Sequence, residues 1–166
     1  MGPKILIIMG SDSDLPVMEE TARILDGFDV PYTLTVASAH RTPARTLRLI
    51  KDAEKKGVEV IIGAAGMAAH LPGVIASHTV LPVIGVPLDS SSLKGMDALL
   101  SIVQMPPGIP VATVSIGKAG ARNAAILAVQ ILALQSPALT AKLQEHRRKM
   151  AKEVEEKAGR IAKLRR

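Results

Sequence analysis

The chain of 166 residues has no cysteine and no tryptophan, one phenylalanine and one tyrosine. Without thiols it forms no disulfide and offers no thiolate metal site, which suits a reducing, cytoplasmic setting. With only Phe28 and Tyr32 as aromatics, the base-stacking platforms of single-strand and RNA-binding modules are excluded. There is no run of 18 or more apolar residues, so no membrane-spanning segment is expected. No basic leader or small-residue cleavage site precedes "KILIIMG", so no signal peptide is expected either.

Charge of one sign is missing from most of the chain as well. Residues 1–141 hold 11 Lys/Arg against 11 Asp/Glu, while residues 142–166 hold 10 against 4, which accounts for the net +6. The bulk of the chain therefore carries no electrostatic footprint for nucleic acid. The basic C-terminal segment reads as a solvated helix face or an oligomer contact.

What is present is aliphatic. Short apolar runs at 4–9, 30–36, 58–63, 82–86 and 110–115 alternate with helix-compatible spacing at 15–27, 43–57, 68–78, 94–104 and 118–134. Continuous apolar runs suit parallel strands covered on both faces. The expectation is an α/β fold: a three-layer α/β/α sandwich on a five-stranded parallel sheet of flavodoxin-like order 2-1-3-4-5. Asp14 before Pro16 and Thr42 before Pro43 read as helix N-caps. Pro137 separates a catalytic domain, 1–136, from a basic C-terminal helix, 137–166, which would pack on the domain or on a neighbouring subunit.

Ligands of such sheets bind beyond the carboxyl ends of the strands. All five segments there are rich in chemistry: "GSDSD" (10–14), "SAHRT" (38–42), "GAAGMAAHLPG" (63–73), "PLDSSSLKG" (87–95) and "IGKAGARN" (116–123). The first is neither G-x-G-x-x-G nor a P-loop. Ser11 and Ser13 can hydrogen-bond a phosphate at a helix start, and Asp12 or Asp14 can accept from ribose hydroxyls. A receiver-type Mg²⁺ site would need an acid after strand 3, and "GAAG" has none. In the second segment the Arg41 fork matches phosphate, and His40 carries an imidazole, which titrates near neutrality and can give and take a proton. His70 in the third segment either positions the ligand or joins the chemistry. No Ser–His–Asp order, HExxH motif or helical carboxylate pair is present. The inventory suits proton transfer on a small ribonucleotide, with no metal or cofactor expected.

"GSDSD", "SAHRTP", "AAHLPG", "LPVIGVP", "ALLSIVQMP", "GIPVATV" and "GKAGARNAA" together resemble the 5-(carboxyamino)imidazole ribonucleotide mutase family of purine biosynthesis, in order over residues 4–134. The resemblance implies a homo-octamer with sites between subunits. It implies a carboxylate moved from the exocyclic nitrogen to C4 of the aminoimidazole through transient CO2, without metal, ATP or organic cofactor. It makes His40 the acid/base and adds His70 to the catalytic pair. It assigns Ser11, Asp14 and Arg41 to the ribonucleotide, with Ser13 and Ser38 nearby, and Gly66, His70 and Leu71 to the carboxylate or CO2 pocket. One position departs: the bacterial loop reads "AGAGGAAHLPG", and here Met67 stands at a glycine. Animal-type carboxylases, which take CO2 directly, keep neither "AAHLPG" nor "SAHRTP" intact. A direct carboxylase of aminoimidazole ribonucleotide, and a non-enzymatic nucleotide-binding module using the basic helix as a partner surface, are the alternatives.

Overall fold

The structure is a computed structural model and describes residues 2–164. Five parallel strands form one sheet: β1 (Ile5–Met9), β2 (Tyr32–Val36), β3 (Val60–Gly66), β4 (Val83–Leu88) and β5 (Ala112–Thr113). Their order is β2-β1-β3-β4-β5, as the sequence implied. The connecting helices are α1 (Leu15–Gly27), α2 (Pro43–Lys55), α3 (Leu71–Ala76) and α4 (Met96–Val103); α5 (Gly117–Ala133) follows the last strand.

Side chains alternate across each strand. Leu6 and Ile8 of β1 and Ile61 and Ala65 of β3 share a core with Ile50, Ile75 and Ile102 of α2, α3 and α4. Ile5, Ile7 and Met9 turn to the opposite face and are buried there. On α1 and α5 the buried residues, Met18, Leu25, Ala121, Ala124 and Ala128, cover that second face. Thr21 Oγ1 donates to Ala121 O at 2.8 Å, and Glu20 pairs with Arg122 at 2.9 Å, tying α1 to α5. The Arg122 hydrogen bond holds the Glu20 carboxyl below its ordinary range.

Two expected elements fall furthest short of their expected length. Only Ala112–Thr113 of 110–115 pair as strand, against Ile84 and Gly85. Pro110 has no N–H to lend a ladder, and β5 is an edge. The expected helix at 68–78 is reduced to Leu71–Ala76, because Pro72 is tolerated only in the first turn and Met67 has φ +54. The predicted cap at Thr42 makes no side-chain bond to its helix; Thr42 Oγ1 instead accepts from Ser38 N at 2.9 Å.

The chain divides into two compact units, one ending at Val129 and the other starting at Gln130. In the second, Ser136 caps α6 (Pro137–Lys163) by accepting from Leu139 N, and Thr140 Oγ1 donates to Ala133 O at 3.1 Å. No residue of α6 is buried. Among the described residues no helix is long and apolar enough to cross a membrane.

Candidate active site

Strand register builds the site. Met9 lies level with Val36 on β2 and with Ala64 on β3, so β1 and β2 end at one height and β3 runs on two residues to Gly66. Their ends border the crevice between β1 and β3, where the strand order reverses. A cavity of about 570 Å³ opens there. It collects all nine residues proposed from sequence: Ser11, Ser13 and Asp14 from the first loop, Ser38, His40 and Arg41 from the second, and Gly66, His70 and Leu71 from the third. The fourth loop contributes Ser90, and the fifth contributes nothing. β5 lies at the far edge of the sheet, two strands from the crevice.

The first loop is a 3-10 turn, Asp12–Asp14, with reciprocal caps. Ser11 Oγ accepts from Ser13 N at 3.3 Å, and Asp14 Oδ2 accepts from Ser11 N at 3.0 Å. Asp14 was expected to cap α1; its carboxylate caps the preceding turn instead, and makes no side-chain cap bond to α1. Ser13 Oγ donates to Ser11 Oγ at 2.8 Å, so the two hydroxyls present one polar edge.

Asp14 is only 7% exposed. Burial pushes its carboxyl above the ordinary 3.8, opposed by the Ser11 N–H. The folded state therefore holds this proton more tightly than the unfolded chain does. Its contribution to stability is full below the ordinary value and is lost as pH rises through the folded one. Asp14→Asn is expected to unfold at higher temperature than the parent at neutral pH, with the gap narrowing in acid, and to bind nucleotide more weakly. Thermal unfolding at neutral and at acid pH checks the first part; an equal gap at both pH values would contradict it.

The second loop is held from both sides. Arg41 N donates to Ser38 Oγ at 3.2 Å, and Arg41 Nη2 reaches across to Gly10 O at 3.1 Å. This bond closes the first loop against the second and leaves the rest of the guanidinium free for an anion. A second groove, of about 370 Å³, continues from Gly10, Ser11, Ser38 and Arg41 towards Thr42 and Arg45. Arg45 Nε donates to Val36 O at 3.0 Å. It was not picked out from sequence, although its position one helical turn beyond Arg41 was the available signal.

The two histidines meet. His40 Nε2 and His70 Nδ1 are 2.8 Å apart, with ring centroids at 5.0 Å and planes at 80°. One nitrogen must donate and the other accept, so the tautomer of each ring is tied to that of the other. Both rings are exposed to the cavity. The same cavity is lined by Ser11, Ser13, Asp14 and Arg41 and by Ala65, Gly66, Met67, Ala68 and Leu71, of which Asp14, Ala65 and Leu71 are buried.

The third loop is tight at Gly66: an added β-carbon would stand 1.7 Å from Ser90 Oγ and 3.0 Å from Ser90 Cβ, so the serine side chain would have to turn away. Met67 follows in the left-handed region, a conformation that costs a residue with a β-carbon about 1 kcal/mol. Nothing in the sequence marks Ser90, Ala65 or Ala68 individually as a site residue. Small apolar side chains carry no chemical signature, and Ser90 was legible only as part of a segment following β4.

The profile of the AIR carboxylase family matches residues 4–153, running past residue 134 into α6. The chain belongs to the AIR carboxylase family. It is 59% identical over 162 residues to the N5-carboxyaminoimidazole ribonucleotide mutase of Pyrococcus horikoshii, covering 98% of this chain and 90% of that one. It is 54% identical over 162 residues to the enzyme of the same name from Thermotoga maritima, covering 98% and 94%. Its fold is similar to the crystal structure of Treponema denticola PurE, with TM-score 0.86 at 28% identity, over 95% of this chain and 98% of that one. The flavodoxin-like arrangement expected from sequence is thus the family's fold.

Proposed function

We infer that the chain is an N5-carboxyaminoimidazole ribonucleotide mutase of purine biosynthesis, working through His40 and His70. One observation carries the mechanism: the bonded histidine pair lines a single cavity together with hydroxyls, a carboxyl and a guanidinium and with small apolar side chains. The substrate needs both kinds of partner, polar groups for its sugar phosphate and small apolar ones for the carboxyl group that departs as CO2.

Phosphate is held by Arg41, Ser11 and Ser38, with Ser13 beside them and Arg45 adding positive charge. Asp14 accepts from the ribose hydroxyls. Protonated His40 gives its proton to the exocyclic nitrogen as the nitrogen–carboxyl bond breaks and CO2 leaves. C4 of the aminoimidazole then attacks CO2, forming the carbon–carbon bond, and His40 takes back the C4 proton. The ring ends the cycle in the state in which it began. His70 hydrogen-bonds His40 and sets its orientation during both transfers. CO2 waits against Ala65, Gly66 and Leu71, beside the carbon it will join, which makes recombination a local event. No step here requires a cofactor.

Arg41→Ala is expected to raise KM about thirtyfold, the loss of a charge-assisted phosphate contact, with the effect chiefly in KM. Steady-state kinetics check it; unchanged substrate affinity would remove Arg41 from the phosphate site.

The reading as a whole is tested by supplying the carbamate substrate alone and following the C4-carboxylated product. Product formed only from unmodified aminoimidazole ribonucleotide with bicarbonate would favour the direct carboxylase. Tight nucleotide binding without turnover would favour a binding module. We also propose a homo-octamer in the cytoplasm, with the C-terminal helix serving subunit contact; light scattering from the purified chain tests the assembly, and a monodisperse monomer would refute it.

A further inference from the structure

Ser90 reaches the cavity from the fourth loop, apart from every other polar residue there. β4 ends at Leu88, which pairs with Gly66 at the end of β3, so the chain leaves β4 beside the third loop. The approach is close: Ser90 Oγ occupies the space in which a β-carbon on Gly66 would stand. A glycine at position 66 thus makes room for a hydroxyl carried by another segment.

That segment is fixed next to Ser90. Ser91 Oγ donates to Asp97 Oδ1 at 2.8 Å and accepts from Leu93 N at 3.1 Å, and Lys94 N donates to Ser91 O at 3.0 Å. These bonds anchor the loop to the start of α4 without using the Ser90 hydroxyl. Four serines line the cavity. Ser11, Ser13 and Ser38 each commit the hydroxyl to a bond within their own loop, whereas Ser90 makes no such bond among the described residues. Its hydroxyl is held against Gly66 by the sheet and by its neighbours, and is not needed to hold the loop.

We propose that the Ser90 hydroxyl binds the carboxyl group of the ligand, and that it makes the cavity prefer carboxylated aminoimidazole ribonucleotides to the decarboxylated one. The proposal rests on the mutase reading above, in which Gly66 borders the departing CO2. A serine hydroxyl has one proton to donate, and a carboxylate oxygen is a charged acceptor, so the contact belongs to the stronger class of hydrogen bond. Neutral CO2 is a poor acceptor. The bond is therefore made to the carbamate before cleavage and to the C4 carboxylate after recombination, and is weak in between. An interaction of this kind favours the two bound ground states over the step that joins them, so its loss raises KM without lowering kcat.

The test uses the full chain, parent and Ser90→Ala, and two probes titrated by calorimetry: the C4-carboxylated ribonucleotide and aminoimidazole ribonucleotide, which lacks the carboxyl group. The variant is expected to bind the carboxylated probe about tenfold more weakly and the other within about twofold of the parent, the loss of one hydrogen bond to a charged group. With the carbamate as substrate, KM should rise about tenfold and kcat stay within about twofold of the parent. Equal weakening for both probes, no weakening for either, or a fall in kcat at unchanged KM overturns the proposal. Light scattering accompanies the titrations: a variant that loses the parent's assembly would assign the hydroxyl to a subunit contact and overturn it too. If the parent forms no C4-carboxylated product from the carbamate, the mutase reading fails; if it forms product and Ser90→Ala treats the two probes as the parent does, only the Ser90 contact fails.

Discussion

His40→Asn is expected to lower turnover by about a thousandfold while nucleotide affinity stays within about threefold, a separation that defines general acid–base work. Asparagine keeps a polar group of similar reach, so the loop between Ser38 and Arg41 retains its backbone bonds. What disappears is the titrating nitrogen. His70→Asn should cost less, about tenfold, because its amide can still hold His40 through a hydrogen bond in either direction but cannot itself take up a proton. Steady-state rates combined with titration of a non-reacting nucleotide distinguish the two effects. Rates near the parent's for His40→Asn would remove the imidazole from the chemistry. Equal losses for both variants would mean that the pair, and not His40 alone, holds the proton.

The largest stability effect is expected at Gly120. A β-carbon there would stand 1.6 Å from Ser115 O and 2.7 Å from Ser115 C. Backbone cannot rotate out of the way as a side chain can, so the start of α5 must shift against the sheet. Gly120→Ala should destabilise the fold by roughly 3 kcal/mol, at the upper end of overpacking costs, and lower Tm by about 10 °C. Gly159→Ala is the matching control. It lies in α6 with nothing within 4 Å of the added carbon, so it should gain about 0.8 kcal/mol from helix propensity alone. Thermal unfolding followed by circular dichroism reads both. A Gly120→Ala variant that melts within about 2 °C of the parent would mean that α5 is not seated as closely as described.

These glycines show where sequence reading runs out. Both stand inside helices, in similar company, "KAGAR" and "KAGRI", and nothing local separates them. Only the return of Ser115 beside Gly120 makes one of them indispensable. The fifth decorated loop is a similar case. "IGKAGARN" follows a strand as the other four loops do, yet no residue of it lines the cavity. Strand order, and not composition, decides which loop ends reach the crevice. Asp14 was read as a cap for α1, and its burial turned it instead into a carboxyl held above its ordinary range within the 3-10 turn.

The chain by itself determined the repeating strand–helix units, the parallel sheet they imply, and the residue types gathered after the first three strands. Those depend on local periodicity and on side-chain chemistry, which any short window of sequence carries. Tertiary structure alone decided that His40 and His70, thirty positions apart, share one hydrogen bond, that the Ser90 hydroxyl stands where a β-carbon on Gly66 would go, and that Met67 stands exposed on a disfavoured backbone. Each of these is a distance between segments remote in sequence, set by how β1, β2, β3 and β4 align in the sheet, and alignment is a property of packing that no single segment encodes.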